Sequence, residues 1–222
     1  MIKILLCCEG VVDQGRDEYS GGEFTHSDGV MQIFIKKLTQ NDTLSFSVKT
    51  RGDIKRFSLV PLPGNFAPKE RIYAKRLAAV AKTEGCEYIA YHRDEDNKGF
   101  TEMYAQVQSY FSIAKCSGIK CLAIVPKHMT ESWLLSDEKA FPKKPISPTL
   151  PKRPEEAWGQ RGSDKHPKKY LERVLDQFNF KPTSSVFCDV ARRSDVSVLR
   201  AKCPESFGQF CSDVGELFTV SL

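Results

Sequence analysis

Four short apolar runs constrain this chain more than any other feature: "IKILLCC" (2–8), "LSFSVKTR" (44–51), "CEYIAYH" (86–92) and "IKCLAIVP" (119–126). Each is strand-length, and helical spacing fills most of the sequence between them. "GVMQIFIKKL" places Met31, Ile33, Phe34 and Leu38 on one face. After a turn at "PLPGNFAP", residues 69–84 form a basic helix with Ile72, Leu77, Ala78 and Ala81 inward, and "FTEMYAQVQSYFSIAKC" reads as a helix closed by Gly118. Strands alternating with helices predict an α/β fold, a mostly parallel sheet with right-handed crossovers and flanking helices. Such sheets bind ligands at the carboxyl ends of their strands.

The pattern changes after about residue 138. "FPKKPISPTLPKRPEE" is rich in Pro, Lys and Arg, and prolines at that density sustain neither helix nor ladder. Helical spacing resumes in "HPKKYLERVLDQF", "SSVFCDVARRSD" and "PESFGQFCSDVGELF". The expected organisation is an α/β core over 1–138, with 139–222 supplying a connector and a helical C-terminal extension packed on that core. No internal repeat is visible.

With 222 residues, the chain can bury a substantial core. Its formal net charge of +5 permits a polyanionic partner without demanding one. Several of its cysteines sit inside apolar runs and none forms a C-x-x-C pair, which favours free thiols in a reducing cytoplasm. A zinc site from Cys116, Cys121, His92 and His128 lacks ligand spacing. "MIKILLCC" is too short for a signal-peptide core, and no run approaches a membrane span, so a cytoplasmic chain is expected.

The third apolar run breaks off into "HRDEDNKG". Asp94 and Asp96 are alternate residues just beyond a strand, so in extended backbone their carboxylates point the same way and repel. A cation stabilises that arrangement, and hard oxygen ligands select Mg²⁺ or Mn²⁺. Glu9 ends the first run and Glu131 follows the fourth, which gathers both at the same sheet edge. Taken alone, "RDED" reads as a solvated loop, the fate of most acidic clusters; the combination with Glu9-Gly10 is what carries the signal.

A strand ending in Glu-Gly and a later one ending in Asp-x-Asp resembles the Toprim domain of topoisomerases, primases and overcoming-lysogenization-defect nucleases. "CEGVVD", "RDED", "MTESWLLSD", "HPKKYLERVL" and "DVARRSDVSVLRAKCPESFGQF" together resemble, in order, a small Toprim-like family of bacterial proteins of unknown function. The resemblance implies a metal site of Glu9, Asp94 and Asp96, with Glu131 as a fourth member. It further implies a metal-dependent nuclease, with a partner ATPase in bacterial phage defence or DNA processing. One departure is the long loop from Val11 to about Asp28, whose Asp13, Asp17, Glu18 and Glu23 supply extra ligands or form a lid.

His92 stands beside the aspartates, placed to orient water or phosphate or to serve as a hydrogen-bonded structural residue. Lys98 is placed to stabilise charge on a phosphoryl group, or is a surface lysine. Lys127 and His128 follow the fourth strand, and Trp133 reads as a core anchor. Basic residues recur at Lys69, Arg71, Lys75 and Arg76, at Lys143, Lys144, Lys152 and Arg153, and at Lys165, Lys168 and Lys169. They make a solvated face or a track for nucleic acid, DNA before RNA. The expected activity is Mg²⁺- or Mn²⁺-dependent phosphodiester hydrolysis. The alternatives are a non-catalytic module that binds a nucleotide or partner protein, and phosphoryl chemistry on small nucleotides. No Walker A motif is present for ATP hydrolysis.

Overall fold

The four apolar runs are the strands of one parallel sheet in a computed structural model of the chain. The structure describes residues 2–10, 13, 15–20, 23–58, 69–95, 98–141, 149–156 and 164–218. The sheet strands are β1 (Lys3–Cys8), β4 (Ser45–Thr50), β5 (Tyr88–His92) and β6 (Lys120–Ile124), in the spatial order β4-β1-β5-β6. The chain leaves β1 toward β4, then crosses back over β1 to lay down β5. The order therefore reverses between β1 and β5, the position at which parallel sheets place a binding crevice beyond the carboxyl ends.

β1 and β5 are central strands, apolar on both faces, and their alternation sorts two cores. Ile4, Leu6, Cys8, Tyr88, Ala90, Leu122 and Ile124 point to one side, where α1 (Val30–Thr39), α6 (Thr130–Leu134) and the C-terminal helices lie. Those helices are α7 (Pro167–Asp176), α8 (Ser184–Arg193), α9 (Val196–Lys202) and α10 (Ser206–Phe218). Leu5, Cys7, Ile89, Tyr91, Ala123 and Val125 point to the other side, against α2 (Arg51–Arg56), α3 (Lys69–Thr83), α4 (Phe100–Tyr110) and α5 (Ser112–Cys116). The α/β reading is thus observed directly, with a helical C-terminal portion packed on the sheet. No helix among the described residues is long and apolar enough to cross a membrane.

Some local structure differs from expectation. The loop after Gly10 contains a hairpin, β2 (Arg16–Ser20) paired antiparallel with β3 (Glu23–Ser27). Its two ends touch. A Cβ on Gly29 would lie 2.6 Å from the Asp13 carbonyl oxygen and closer still to the Gly15 nitrogen, so both positions need glycine. The long helix over 100–116 is two helices meeting at the buried Phe111. The turn at 61–68 lies outside the described residues.

Part of the Pro/Lys stretch is anchored rather than loose. Leu150 joins the core, and the buried Glu155 carboxylate faces the start of α10. It accepts from the backbone nitrogens of Glu205 (3.0 Å) and Ser206 (2.7 Å) and from the Ser206 hydroxyl. Ser206 Oγ in turn accepts from Trp133 Nε1 at 2.7 Å, and Trp133 stacks on Phe210. Lys37 reaches from α1 to the carbonyls of Ala191, Arg192 and Ser194 at the end of α8. Helix ends carry unpaired amides and carbonyls, and here distant side chains satisfy them.

Truncation of Glu155 leaves those amides buried without a partner. Glu155→Ala should lower unfolding free energy by about 2–3 kcal/mol, whereas Glu155→Gln keeps an acceptor and should lose less. Urea denaturation of the two variants checks the order, and equal midpoints for wild type and Glu155→Ala would contradict it.

Candidate functional site

The crevice between the ends of β1 and β5 holds a buried histidine among carboxylates. His92 is the last residue of β5, fully buried. Its Nδ1 faces Asp13 Oδ2 at 3.6 Å; its Nε2 lies 3.5 Å from Asp94 Oδ1 and 3.1 Å from Thr130 Oγ1. Asp13 comes from the segment leaving β1, and its carbonyl oxygen is bound by Met31 N at the start of α1. Asp94 continues from β5, while Thr130 and Glu131 open α6 after β6. Residues from three connections thus meet at one point.

Electrostatics show how tightly they are gathered. Burial alone would lower the His92 pKa; Asp13 and Asp94, with a smaller part from Glu9, overcome it and lift the value to about 9. Asp13 is pushed up to about 6 by burial, against the pull of His92 and with repulsion from Asp94 and Glu9. Glu131 rises to about 7 through burial and the Asp94 and Asp13 charges. At neutral pH the imidazolium is the fixed positive charge of this cluster. Asp13 Oδ1 is buried with no hydrogen-bond partner among the described residues.

The acidic turn after β5 also has work in the backbone. Asp94 Oδ1 accepts from Thr130 N at 3.2 Å, and Glu95 Oε2 accepts from His128 N at 3.0 Å. His128 sits in the left-handed region at φ 66°, which turns its N–H toward that carboxylate. Part of the charge that "RDED" meets is therefore the amides between β6 and α6, together with His92.

The expected residues are distributed unevenly. Asp94, His92 and Glu131 come together. Glu9 lies at the rim, within electrostatic reach of His92 and Asp13, and pairs with Arg51 at 3.4 Å. Asp96 lies outside the described residues. Lys98 is exposed before α4, its backbone nitrogen bonded to the Glu95 carbonyl. Lys127 is held by both Glu205 oxygens at 2.9 Å, and Trp133 is a core anchor. Among the described residues, no group of three His, Cys, Asp or Glu side chains is arranged to hold a metal ion. Cys7 and Cys8 end β1 nearby, but burial pushes the Cys7 thiol up to about 12 and Cys8 well above its ordinary value, so neither is a thiolate nucleophile.

Two residues stand out only in three dimensions. Asp13 was one of four acids in its loop, and burial against His92 singles it out. Arg51 lies inside the capping box of Thr50 and Asp53: Thr50 Oγ1 accepts from Asp53 N, and Asp53 Oδ2 accepts from Thr50 N. Compared with protein-family models, curated proteins and solved structures, the chain matches none.

The raised values set a pH dependence. Asp13, Glu131 and His92 all bind their protons more tightly in the folded chain than ordinary groups do. The folded state then holds more protons than the unfolded one, so stability falls as pH rises. The acids' share is full below about pH 4 and lost through pH 6 to 7; the His92 share is full below about pH 6.5 and lost through pH 9. In the absence of divalent cation, the urea midpoint should decline across this range, and the His92 resonance should titrate near 9 by NMR. A midpoint that rises from pH 5 to 8 would contradict the charge assignment.

Proposed function

We propose that this chain is a divalent-cation-dependent phosphodiester hydrolase, a Toprim-like nuclease acting on DNA in preference to RNA. In this reading it works with a partner ATPase in a bacterial defence or DNA-processing setting. The observation that carries the proposal is the convergence of Asp13 and Asp94 on His92, with Glu131 within charge reach of both carboxylates and Glu9 at the rim, at the reversal point of a parallel sheet. The raised values of Asp13 and Glu131 record burial first and neighbouring carboxylates second, both conditions that a cation relieves. The order of the Glu-Gly and Asp-x-Asp strand ends supports the same reading by resemblance.

The donor set fits Mg²⁺ or Mn²⁺. All candidate ligands are hard oxygens, and Asp13 Oδ1 is a buried acceptor still to be satisfied. Mg²⁺ commonly keeps several waters and takes only one or two carboxylates from the protein, so it needs no closed protein cage. Asp94, Asp13, Glu131 and Glu9 are the residues that would hold it, with Asp96 as a further candidate from the sequence. A bound cation would polarise the scissile phosphate and lower the pKa of a water. His92 keeps Asp13 and Asp94 in place and supplies a proton-bearing imidazole beside them. Asp94 additionally holds Thr130 N, which fixes α6 and hence Glu131.

A second reading has its own support. Asp94, Glu95 and His92 all secure the connection between β6 and α6, work that a non-catalytic nucleotide- or partner-binding module needs equally. The two readings part on turnover. A panel of DNA and RNA substrates with Mn²⁺ or Mg²⁺ should be cleaved, and Asp94→Asn should reduce cleavage by about a hundredfold or more. Asparagine retains the Oδ1 acceptor for Thr130 N, so the loss would report charge rather than misfolding. Glu131→Gln and Glu9→Gln should weaken cation affinity measured by calorimetry. Binding of substrate without turnover would favour the module, and equal cleavage by wild type and Asp94→Asn would remove the site assignment.

A further inference from the structure

At the β4 side of the crevice, Arg51 stands where no packing requirement places a guanidinium. It is the first residue of α2, and the Thr50–Asp53 capping box fixes its backbone. Its side chain is only 30% exposed. The one hydrogen bond it makes among the described residues goes to Glu9 Oε1, at a long 3.4 Å, out of the five donors a guanidinium carries. Within its electrostatic reach are three tyrosines from three elements: Tyr73 of α3, Tyr91 of β5 and Tyr110 of α4. Their rings are mutually packed at 5.0–5.9 Å, and Arg51 is within charge reach of all three hydroxyls.

We infer that Arg51 forms an anion subsite that holds the non-bridging oxygens of a substrate phosphate beside the carboxylates. Without substrate, Arg51 and Glu9 neutralise each other across the rim. A cation held by Glu9 would free the Arg51 guanidinium fork, which matches two phosphate oxygens in geometry. Partial burial keeps the guanidinium partly desolvated, which strengthens its pairing with an anion. The inference deepens the phosphodiester reading and rests on it for the nature of the substrate, though the subsite can be tested on its own.

The test measures binding apart from turnover. A short fluorescein-labelled single-stranded oligodeoxynucleotide is titrated by anisotropy in Ca²⁺, inorganic phosphate serves as competitor, and Mn²⁺ affinity is measured by calorimetry. Arg51→Ala should weaken oligonucleotide binding by about tenfold or more and leave Mn²⁺ affinity unchanged or tighter, because Glu9 loses its competing partner. Arg51→Lys should restore only part of the binding, since an ammonium lacks the fork. Unchanged thermal unfolding of Arg51→Lys guards against a folding artefact. Oligonucleotide affinity within twofold of wild type in Arg51→Ala would overturn the subsite while leaving the hydrolase reading intact. Failure of wild type to bind either oligonucleotide or phosphate would also overturn it. Arg51-dependent binding with no cleavage under any cation would sustain the subsite and remove the hydrolase.

Discussion

The pairing of β1 between β4 and β5 is the constraint on which the rest of the molecule depends. Six residues of β1 align in parallel with β4 and four with β5, which fixes the heights of all the strand ends. Cys8 stands opposite Thr50, so Glu9 and Arg51 follow as neighbours. Cys7 stands opposite Tyr91, so His92 comes level with Cys8 at the very end of β1, where the segment carrying Asp13 passes. A register shift of one residue would exchange the two faces of β1 and take Glu9 to the other side of the sheet. The chemistry at the rim is therefore a result of backbone hydrogen bonding several residues below it.

That architecture forces a buried charge problem and solves it internally. Burial at this edge raises the proton affinity of Asp13 and Glu131, and the neighbouring carboxylates add to the effect. His92 offsets this with a positive charge facing Asp13 and Asp94, and the amides of His128 and Thr130 donate to Glu95 Oε2 and Asp94 Oδ1. A buried charge cluster of this kind is weak evidence for stability, because desolvation opposes the Coulombic gain. Groups with strongly perturbed proton affinities cluster at functional sites, and this cluster lies at the carboxyl edge of a parallel sheet.

Much of this was legible in the sequence, for physical reasons that can be named. Buried parallel strands must be apolar on both faces, so "KILLCC" and "YIAYH" announce themselves without alternation. Asp94, His92 and Glu131 were legible because strand ends of a parallel sheet converge. Asp13 was not, since the acids of its loop differ only in which one the fold buries. The β2–β3 hairpin left a signal in "SGGE", a two-residue glycine connection, but its flanks lack the apolar alternation that marks a half-buried strand. Arg51 read as the polar end of a strand; its partner Glu9 is far away in sequence. Glu155 looked like one more charge in a Pro/Lys stretch, because capping a helix that starts fifty residues later has no local signature.

The contact between Gly15 and Gly29 has a consequence for how such a protein diversifies. The hairpin leaves and rejoins the body through one pinched point, so to the sheet it is a closed excursion with no net displacement. Its length and composition can drift without moving Asp13 on one side or the start of α1 on the other. Selection can thus reshape what approaches the rim of the crevice while the charged centre stays in register. The two glycines act as a grommet, separating the part of the chain free to experiment from the part that is not.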